Sequence, residues 1–188
     1  MMSRQRVQYV LVCEDQQQEA FARRFLRQAN IVKDLHQLRV ERSPGGRGAA
    51  DRFVQETYVD ELDAARRSHV ASTLLLLTDG DALGVEGRLR RLDEACERRG
   101  VAARSRKDRS AVFVPTWNIE TWLAYLDGET VEESRKDYPR LTRPRDCQRH
   151  VGVLVEMCRQ GTLRQPAPKS LEAACDEYGG RVSDPKSS

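Results

Sequence analysis

The segment ASTLLLLTDGD, residues 71–81, decides the fold of this chain. Its first seven residues, 71–77, form the most apolar stretch of the sequence and have the length of a strand buried on both faces. Such a strand belongs at the centre of a parallel sheet, where helices cover both sides. The two aspartates that follow, Asp79 and Asp81, are therefore expected just beyond the carboxyl end of a central strand.

The segments on either side alternate between strand and helix patterns. Residues 7–13 predict a buried strand, and residues 16–30 follow it directly as an amphipathic helix. This alternation predicts an α/β fold with a mainly parallel sheet flanked by helices. The further strands are expected at 35–40 and 111–115, and the further helices at 51–68, 86–99 and 118–126.

The pattern changes after residue 127. Residues 135–149 are charged and interrupted by prolines, and helical patterns return near 151–157 and 170–178. We therefore expect one α/β domain over residues 1–127 and a small helical C-terminal extension, residues 128–188, packed on it.

The composition is typical of a soluble globular protein. Hydrophobic residues make up 39% of the 188 residues, charged residues make up 32%, and mean hydropathy is −0.68. The longest apolar run is much shorter than the roughly 20 residues of a membrane span. Basic residues precede the apolar stretch at 7–13, but that stretch is short and runs straight into acidic residues without a small-residue cleavage site. We expect a cytoplasmic protein without a membrane partner.

Charge and cysteine content narrow the function classes. The formal net charge of +3 permits nucleic-acid binding without requiring it. The five cysteines are odd in number and form no CxxC pair, so they suggest neither a disulfide framework nor a zinc site. Free thiols in a reducing compartment are the simpler interpretation.

Acidic residues follow three of the predicted strands. Carboxyl ends of parallel strands lie along one edge of a sheet, so these side chains can converge although they are far apart in sequence. Converging carboxylates repel each other unless a cation neutralises them, and oxygen ligands suit Mg²⁺ or Mn²⁺. The candidate site residues are Glu14, Asp79, Asp81 and Glu120.

Each of these residues also has a simpler explanation. The Asp-Gly-Asp sequence is common in turns, Glu14 can act as a helix N-terminal charge, and Glu120 can be a solvated helix residue. Their occurrence together at strand ends is more informative than any one of them.

Three segments carry a resemblance to a known family. VLVCEDQQQEAFARRFL (10–26) resembles the first Toprim motif, a strand that ends in Glu, and TLLLLTDGDALG (73–84) resembles the second, a strand that ends in Asp-x-Asp. FVPTWNIETWLAYL (113–126) is similar to the acidic segment of small Toprim-like proteins related to the overcoming-lysogenization-defect nucleases. The resemblance covers about residues 7–127 and implies a Toprim/Rossmann-like fold.

The resemblance also implies an activity. It assigns a Mg²⁺ (or Mn²⁺) site in which Glu14, Asp79 and Asp81 are metal-binding and catalytic, with Glu120 as a further ligand or activator. The resemblance implies a metal-dependent nuclease that hydrolyses phosphodiester bonds, with DNA the expected substrate ahead of RNA. The resemblance also implies an anti-phage role with an ATPase, and that ATPase is expected to be a separate chain because this one has no GxxxxGK[ST] motif.

The chain departs from the family pattern at two positions. Asp15 stands where the family has glycine, and Gln18 stands where an acidic residue is expected, with Glu19 next to it. Lys136 and Lys169 are the candidates for the downstream lysine of nuclease members, and an ordinary surface lysine is the simpler interpretation of each.

Two other segments offer phosphate contacts. The glycine-rich residues 45–48, with Arg47, and the basic residues Arg104, Arg106, Lys107 and Arg109 can approach a phosphate or can be ordinary loops.

Other functions stay open. A non-catalytic Toprim-like regulatory or nucleic-acid-binding subunit would keep the fold and lose turnover. A phosphoryl transferase resembling primase or topoisomerase is less favoured, because no zinc-ribbon module is present. A homo-oligomer is left open.

Overall fold

The structure, a computed structural model, describes residues 8–45 and 49–183 of the chain. Within these residues one sheet of four parallel strands forms the centre, in the order β2-β1-β3-β4. The predicted α/β fold with a parallel sheet flanked by helices is therefore confirmed. The strands are β1 (Gln8–Cys13), β2 (Leu38–Arg42), β3 (Ser72–Leu77) and β4 (Ser110–Phe113).

The helices of the described residues alternate with the strands and then continue beyond them. Three of them, α1 to α3, connect successive strands, and the last three follow β4. Their bounds are α1 (Gln16–Gln28), α2 (Ala49–Arg67), α3 (Gly84–Arg98), α4 (Glu120–Leu126), α5 (Gln148–Gln160) and α6 (Lys169–Arg181).

The two faces of the sheet bury separate cores. Because side chains alternate along a strand, the even-numbered residues of β1 and β3, such as Val12 and Leu76, pack against α2 and α3. The odd-numbered residues of these two strands, such as Leu11 and Leu77, face α1 and the C-terminal helices. All strand residues of Leu74–Leu77 are buried, so β3 is a central strand covered on both faces, as its apolar sequence predicts.

The strand order reverses direction at β1. The chain passes from β1 to β2 on one side of the sheet, then returns to place β3 on the other side of β1. In an open α/β sheet, the crevice at such a reversal lies outside the carboxyl ends of the two strands, and ligands bind there. In the β1–β3 register Cys13 lies opposite Leu77, so the residues that follow each strand meet at this crevice.

The C-terminal helices pack directly on the sheet and on α1. Helix α5 lies along α1, and α6 lies against β4. The Glu177 carboxylate of α6 accepts a hydrogen bond from the backbone N–H of Val112 at 3.0 Å and pairs with Arg104 at 2.6 Å. Because β4 is an edge strand, Glu177 occupies a backbone donor that would otherwise face solvent.

Several boundaries differ from those expected. Strand β2 begins at Leu38 because Leu35–Gln37 form a 3-10 turn, in which the Asp34 carboxylate accepts the N–H of His36. Helix α4 begins at Glu120 instead of residue 118. In the glycine-rich segment, residues 46–48, including Arg47, lie outside the described residues. No helix within the described ranges has the length and apolar character to span a bilayer.

Candidate functional site

Glu14 joins the ends of the two central strands. It follows β1, and its Oε1 accepts a hydrogen bond from the backbone N–H of Asp79 at 2.8 Å. The same oxygen accepts the hydroxyl of Thr78, the first residue after β3. These contacts fix the Glu14 carboxylate at the crevice where the strand order reverses.

Gln18 connects the same two residues from helix α1. Its side chain is fully buried, its Nε2 donates to Asp79 Oδ1 at 2.9 Å, and its Oε1 accepts the N–H of Glu14 at 2.9 Å. Asp15 starts the helix, because its Oδ1 accepts the N–H of Gln18 at 2.8 Å as an N-cap. Asp15 and Gln18, the two positions that depart from the Toprim pattern, therefore help to orient Glu14 and Asp79.

The Asp79 carboxyl lies in a strongly unfavourable environment for a negative charge. Burial raises its pKa well above the ordinary value, and the charges of Glu14, Asp15 and Glu120 raise it further. Burial also raises the pKa of Glu14, against the hydrogen bonds from Thr78 and Asp79 that lower it. The effects show that these carboxylates lie close enough to repel one another.

Glu120 reaches the site from the first turn of α4. It is 5% exposed, and burial together with the charge of Asp15 raises the pKa of its carboxyl. The Arg140 guanidinium opposes this shift from 3.5 Å, measured between Arg140 Nε and Glu120 Oε1. The Arg140 side chain is 82% exposed, so its charge is largely solvated and offsets only part of the cost of burying Glu120.

Asp81 has a different partner from Asp79. Its Oδ2 pairs at 3.0 Å with Arg88, which is 2% exposed, on α3. Arg88 also donates from Nε to the backbone carbonyl of Asp79 at 2.8 Å and from Nη1 to the carboxylate of Asp51 on α2. This buried guanidinium therefore holds both ends of the Asp-Gly-Asp loop and ties them to two helices.

The loop after β3 is also fixed to the loop after β4. Gly80 N–H donates to the carbonyl of Pro115 at 2.8 Å, and Asp81 N–H donates to the carbonyl of Trp117 at 3.0 Å. Asp81 and Trp117 are both left-handed, with φ of 46° and 62°. A Cβ at Gly80 would lie 2.9 Å from the Pro115 oxygen, so glycine permits this close approach. The chain turns at Asp81, so Asp79 and Asp81 are not two residues of one extended strand.

The basic candidates separate into two groups. Lys136 lies above the Trp117 ring, with its Nζ 5.7 Å from the ring centroid, and Arg140 contacts Glu120. Both cations are therefore on the side of the carboxylates. Residues 104–109 precede β4 and lie at the amino end of this strand, the opposite edge of the parallel sheet. Lys169 is the first residue of α6, and its backbone N–H donates to the carboxylate of Glu133 at 2.8 Å.

Sequence reasoning missed Arg88. The residue lies four positions before Leu92 and eight before Cys96, both buried on the inner face of α3, so helical spacing places it on that apolar face. A charged residue at such a position needs buried partners, and this was the signal available in the sequence.

The four predicted residues all lie at the same edge of the sheet, and their oxygen atoms suit a hard divalent cation. The raised pKa values of Glu14, Asp79 and Glu120 fit such an ion, because its positive charge would offset their repulsion. Within the part of the chain that the structure describes, no three His, Cys, Asp or Glu side chains are grouped closely enough to hold a metal as they stand. Binding would therefore require side-chain movement.

Comparison of the chain with known proteins found no match. No protein-family model matches the chain. No curated protein and no solved structure matches it either. The Toprim relationship therefore stays a resemblance carried by the three motifs.

Proposed function

We propose that this protein is a metal-dependent nuclease of the Toprim type that hydrolyses phosphodiester bonds. The observation that carries the proposal is the group of carboxylates around Asp79 at the reversal of strand order, where partial burial and mutual repulsion both raise pKa values. Bringing these charges together costs free energy of folding. Carboxyls with perturbed pKa values in a crevice are typical of functional sites.

The residues that would hold Mg²⁺ or Mn²⁺ are Glu14, Asp79 and Glu120. Asp81 would join them by exchanging its contact with Arg88. A divalent ion bound here would supply a nucleophilic water and offset charge on the phosphate oxygens. The chain itself orients the carboxylates, with Gln18 holding Asp79 and the Thr78 hydroxyl holding Glu14.

Nucleic acid, DNA in preference to RNA, is the proposed substrate. Lys136 and Arg140 are exposed cations beside the carboxylates, and cations in this position attract a phosphate backbone. Of the two candidate lysines, this contact with Trp117 favours Lys136. A separate ATPase partner and a role in anti-phage defence remain part of the proposal, on the strength of the resemblance.

The first experiment compares cleavage by wild type, Asp79→Asn and Asp60→Asn. Plasmid DNA, single-stranded DNA and RNA are incubated with Mg²⁺ or Mn²⁺. Asp60 is a surface residue of α2, with a side chain 60% exposed, so its variant removes the same charge away from the site. We expect Asp79→Asn to lose at least 100-fold in rate and Asp60→Asn to keep wild-type activity. Equal cleavage by all three proteins would refute the assignment.

A second experiment tests the phosphate contacts in the Asp79→Asn background. The double variant Lys136→Ala/Arg140→Ala should bind DNA more weakly, and the slope of log K against log salt should fall by about 2. Lys107→Ala/Arg109→Ala removes one lysine and one arginine from the opposite edge and should change the slope little. Equal effects of the two double variants would exclude a specific role for Lys136 and Arg140.

A non-catalytic nucleic-acid-binding subunit is the second candidate. Gln18 favours it, because an amide bonded to Asp79 Oδ1 occupies the position where an acidic residue is expected. Gln18→Glu distinguishes the two functions. If wild type binds DNA without cleaving it and Gln18→Glu gains Mn²⁺-dependent cleavage, the natural protein is the binding subunit. If wild type already cleaves, the nuclease proposal holds.

A further inference from the structure

Two of the five cysteines lie together on the C-terminal helices. Cys158 is in the last turn of α5, and Cys175 is in the middle of α6. Both are partly exposed, and both line the same two cavities, together with Phe25 and Tyr178. The larger of these cavities has a volume of about 750 Å³, and both partly exposed cysteines lie on its lining.

The two thiols interact with each other. The neighbouring Cys175 thiol lowers the pKa of Cys158, and Cys158 together with burial raises the pKa of Cys175. The thiolate is the reactive form of cysteine, so Cys158 is the better nucleophile of the pair.

The other three cysteines are less accessible than this pair. Cys13, Cys96 and Cys147 are buried, with no exposed surface. Burial raises the pKa of each of these thiols, for Cys13 to about 12. Buried neutral thiols of this kind react slowly, so Cys158 and Cys175 are the two accessible thiols and the other three are unreactive.

We propose that Cys158 and Cys175 are a modification site at which a hydroperoxide converts the thiol pair into an intrachain disulfide. The Cys158 thiolate attacks the terminal peroxide oxygen, which breaks the O–O bond and gives Cys158 sulfenic acid and hydroxide from hydrogen peroxide, or an alkoxide from an organic hydroperoxide. The Cys175 sulfur then attacks the sulfenic sulfur, its proton leaves with the hydroxyl group as water, and the S–S bond forms. Two thiols are oxidised and one peroxide is reduced.

The bond would tie α5 to α6 across the turn between them. Residues 158–175 form a short closed loop, so the cross-link restricts the unfolded chain and stabilises the folded one. Helix α6 also carries Ser170, whose hydroxyl accepts the Trp122 indole N–H at 2.9 Å, and Glu177 on the edge of β4. The oxidised protein would thus hold these contacts more firmly. This inference does not depend on the proposed nuclease activity.

The test is peroxide treatment of the reduced, full-length protein followed by thiol counting and intact mass measurement. Thiols titrated after denaturation should fall from five to three, and the mass should fall by about 2 Da. Peptide mapping should recover Cys158 linked to Cys175, and Tm should rise by roughly 5–10 °C until reductant is added.

Single variants locate the chemistry. Cys158→Ser and Cys175→Ser should each abolish the mass loss and the rise in Tm, whereas Cys147→Ser should keep both. With dimedone present, Cys175→Ser should accumulate a labelled sulfenic acid at Cys158. Five free thiols after treatment, or disulfides only between separate chains, would overturn the proposal.

Discussion

Replacing Arg88 by methionine should destabilise the protein strongly, because Arg88 is a buried cation with three hydrogen-bonded partners. Removing one member of a buried ion pair typically costs about 3–5 kcal/mol. Here the partner side chains Asp81 and Asp51 are 64% and 35% exposed, so water can solvate the carboxylates that lose their cation. Methionine also fills most of the vacated volume. We therefore expect a loss of about 2–3 kcal/mol in the free energy of unfolding.

The measurement is urea unfolding, supported by a fall in Tm of roughly 4–12 °C. Arg91→Met is the matched control, because Arg91 reaches the same Asp51 at 3.2 Å from a side chain that is 49% exposed. A surface pair of that kind should contribute less than about 1 kcal/mol. If the two variants differ by less than about 0.5 kcal/mol, Arg88 does not organise the loop as argued.

Three further predictions concern the site and the sheet edge. Asp79→Asn should stabilise the metal-free protein at neutral pH, because burial and neighbouring carboxylates raise the pKa of Asp79 above its ordinary value of 3.8. Asp79 of the wild type therefore binds its proton more tightly in the folded state than in the unfolded state, and the stability of the wild type falls as pH rises through the folded pKa. Urea unfolding of the two proteins in EDTA should give the same stability below pH 3.8 and a difference above it. Glu177→Ala should cost about 2–3 kcal/mol in urea unfolding, since it leaves the N–H of Val112 and a largely buried arginine without their acceptor; an unchanged midpoint would argue against this. Gly80→Ala should cost about 1–3 kcal/mol and weaken Mn²⁺ binding, because its Cβ would meet a carbonyl oxygen at 2.9 Å. Gly179→Ala, in open space on α6, should stabilise by about 0.5–1 kcal/mol instead.

Much of the fold was predictable from local patterns. The apolar run before Asp79 identified the central strand, and the alternation of periodicities identified α/β layers. The position of acidic residues after successive strands then brought Glu14, Asp79 and Glu120 to one edge, because parallel strands share their carboxyl ends. These inferences needed only the direction of each strand.

The rest depended on contacts that single-sequence patterns do not encode. The order of the strands follows from how the helices cross the sheet, so the reversal beside β1 was not visible beforehand. A turn at Asp-Gly-Asp was one interpretation of the sequence, but the pairing of Asp81 with Trp117, thirty-six residues away, was not visible there. The role of Arg88 likewise requires partners from two other elements. Local propensity cannot anticipate such tertiary constraints.

The Glu177 contact shows that helix α6 covers the free edge of β4 and so hinders pairing of this strand with another chain. A chain shortened before α6 would leave the backbone groups on the outer side of β4 without this cover, and an uncovered strand edge is a template for joining another chain. Such a fragment still contains all four strands, and we expect it to assemble into β-rich aggregates through the uncovered edge of β4. Fragments for biochemical work are therefore better ended after residue 183 than at the apparent boundary near residue 127.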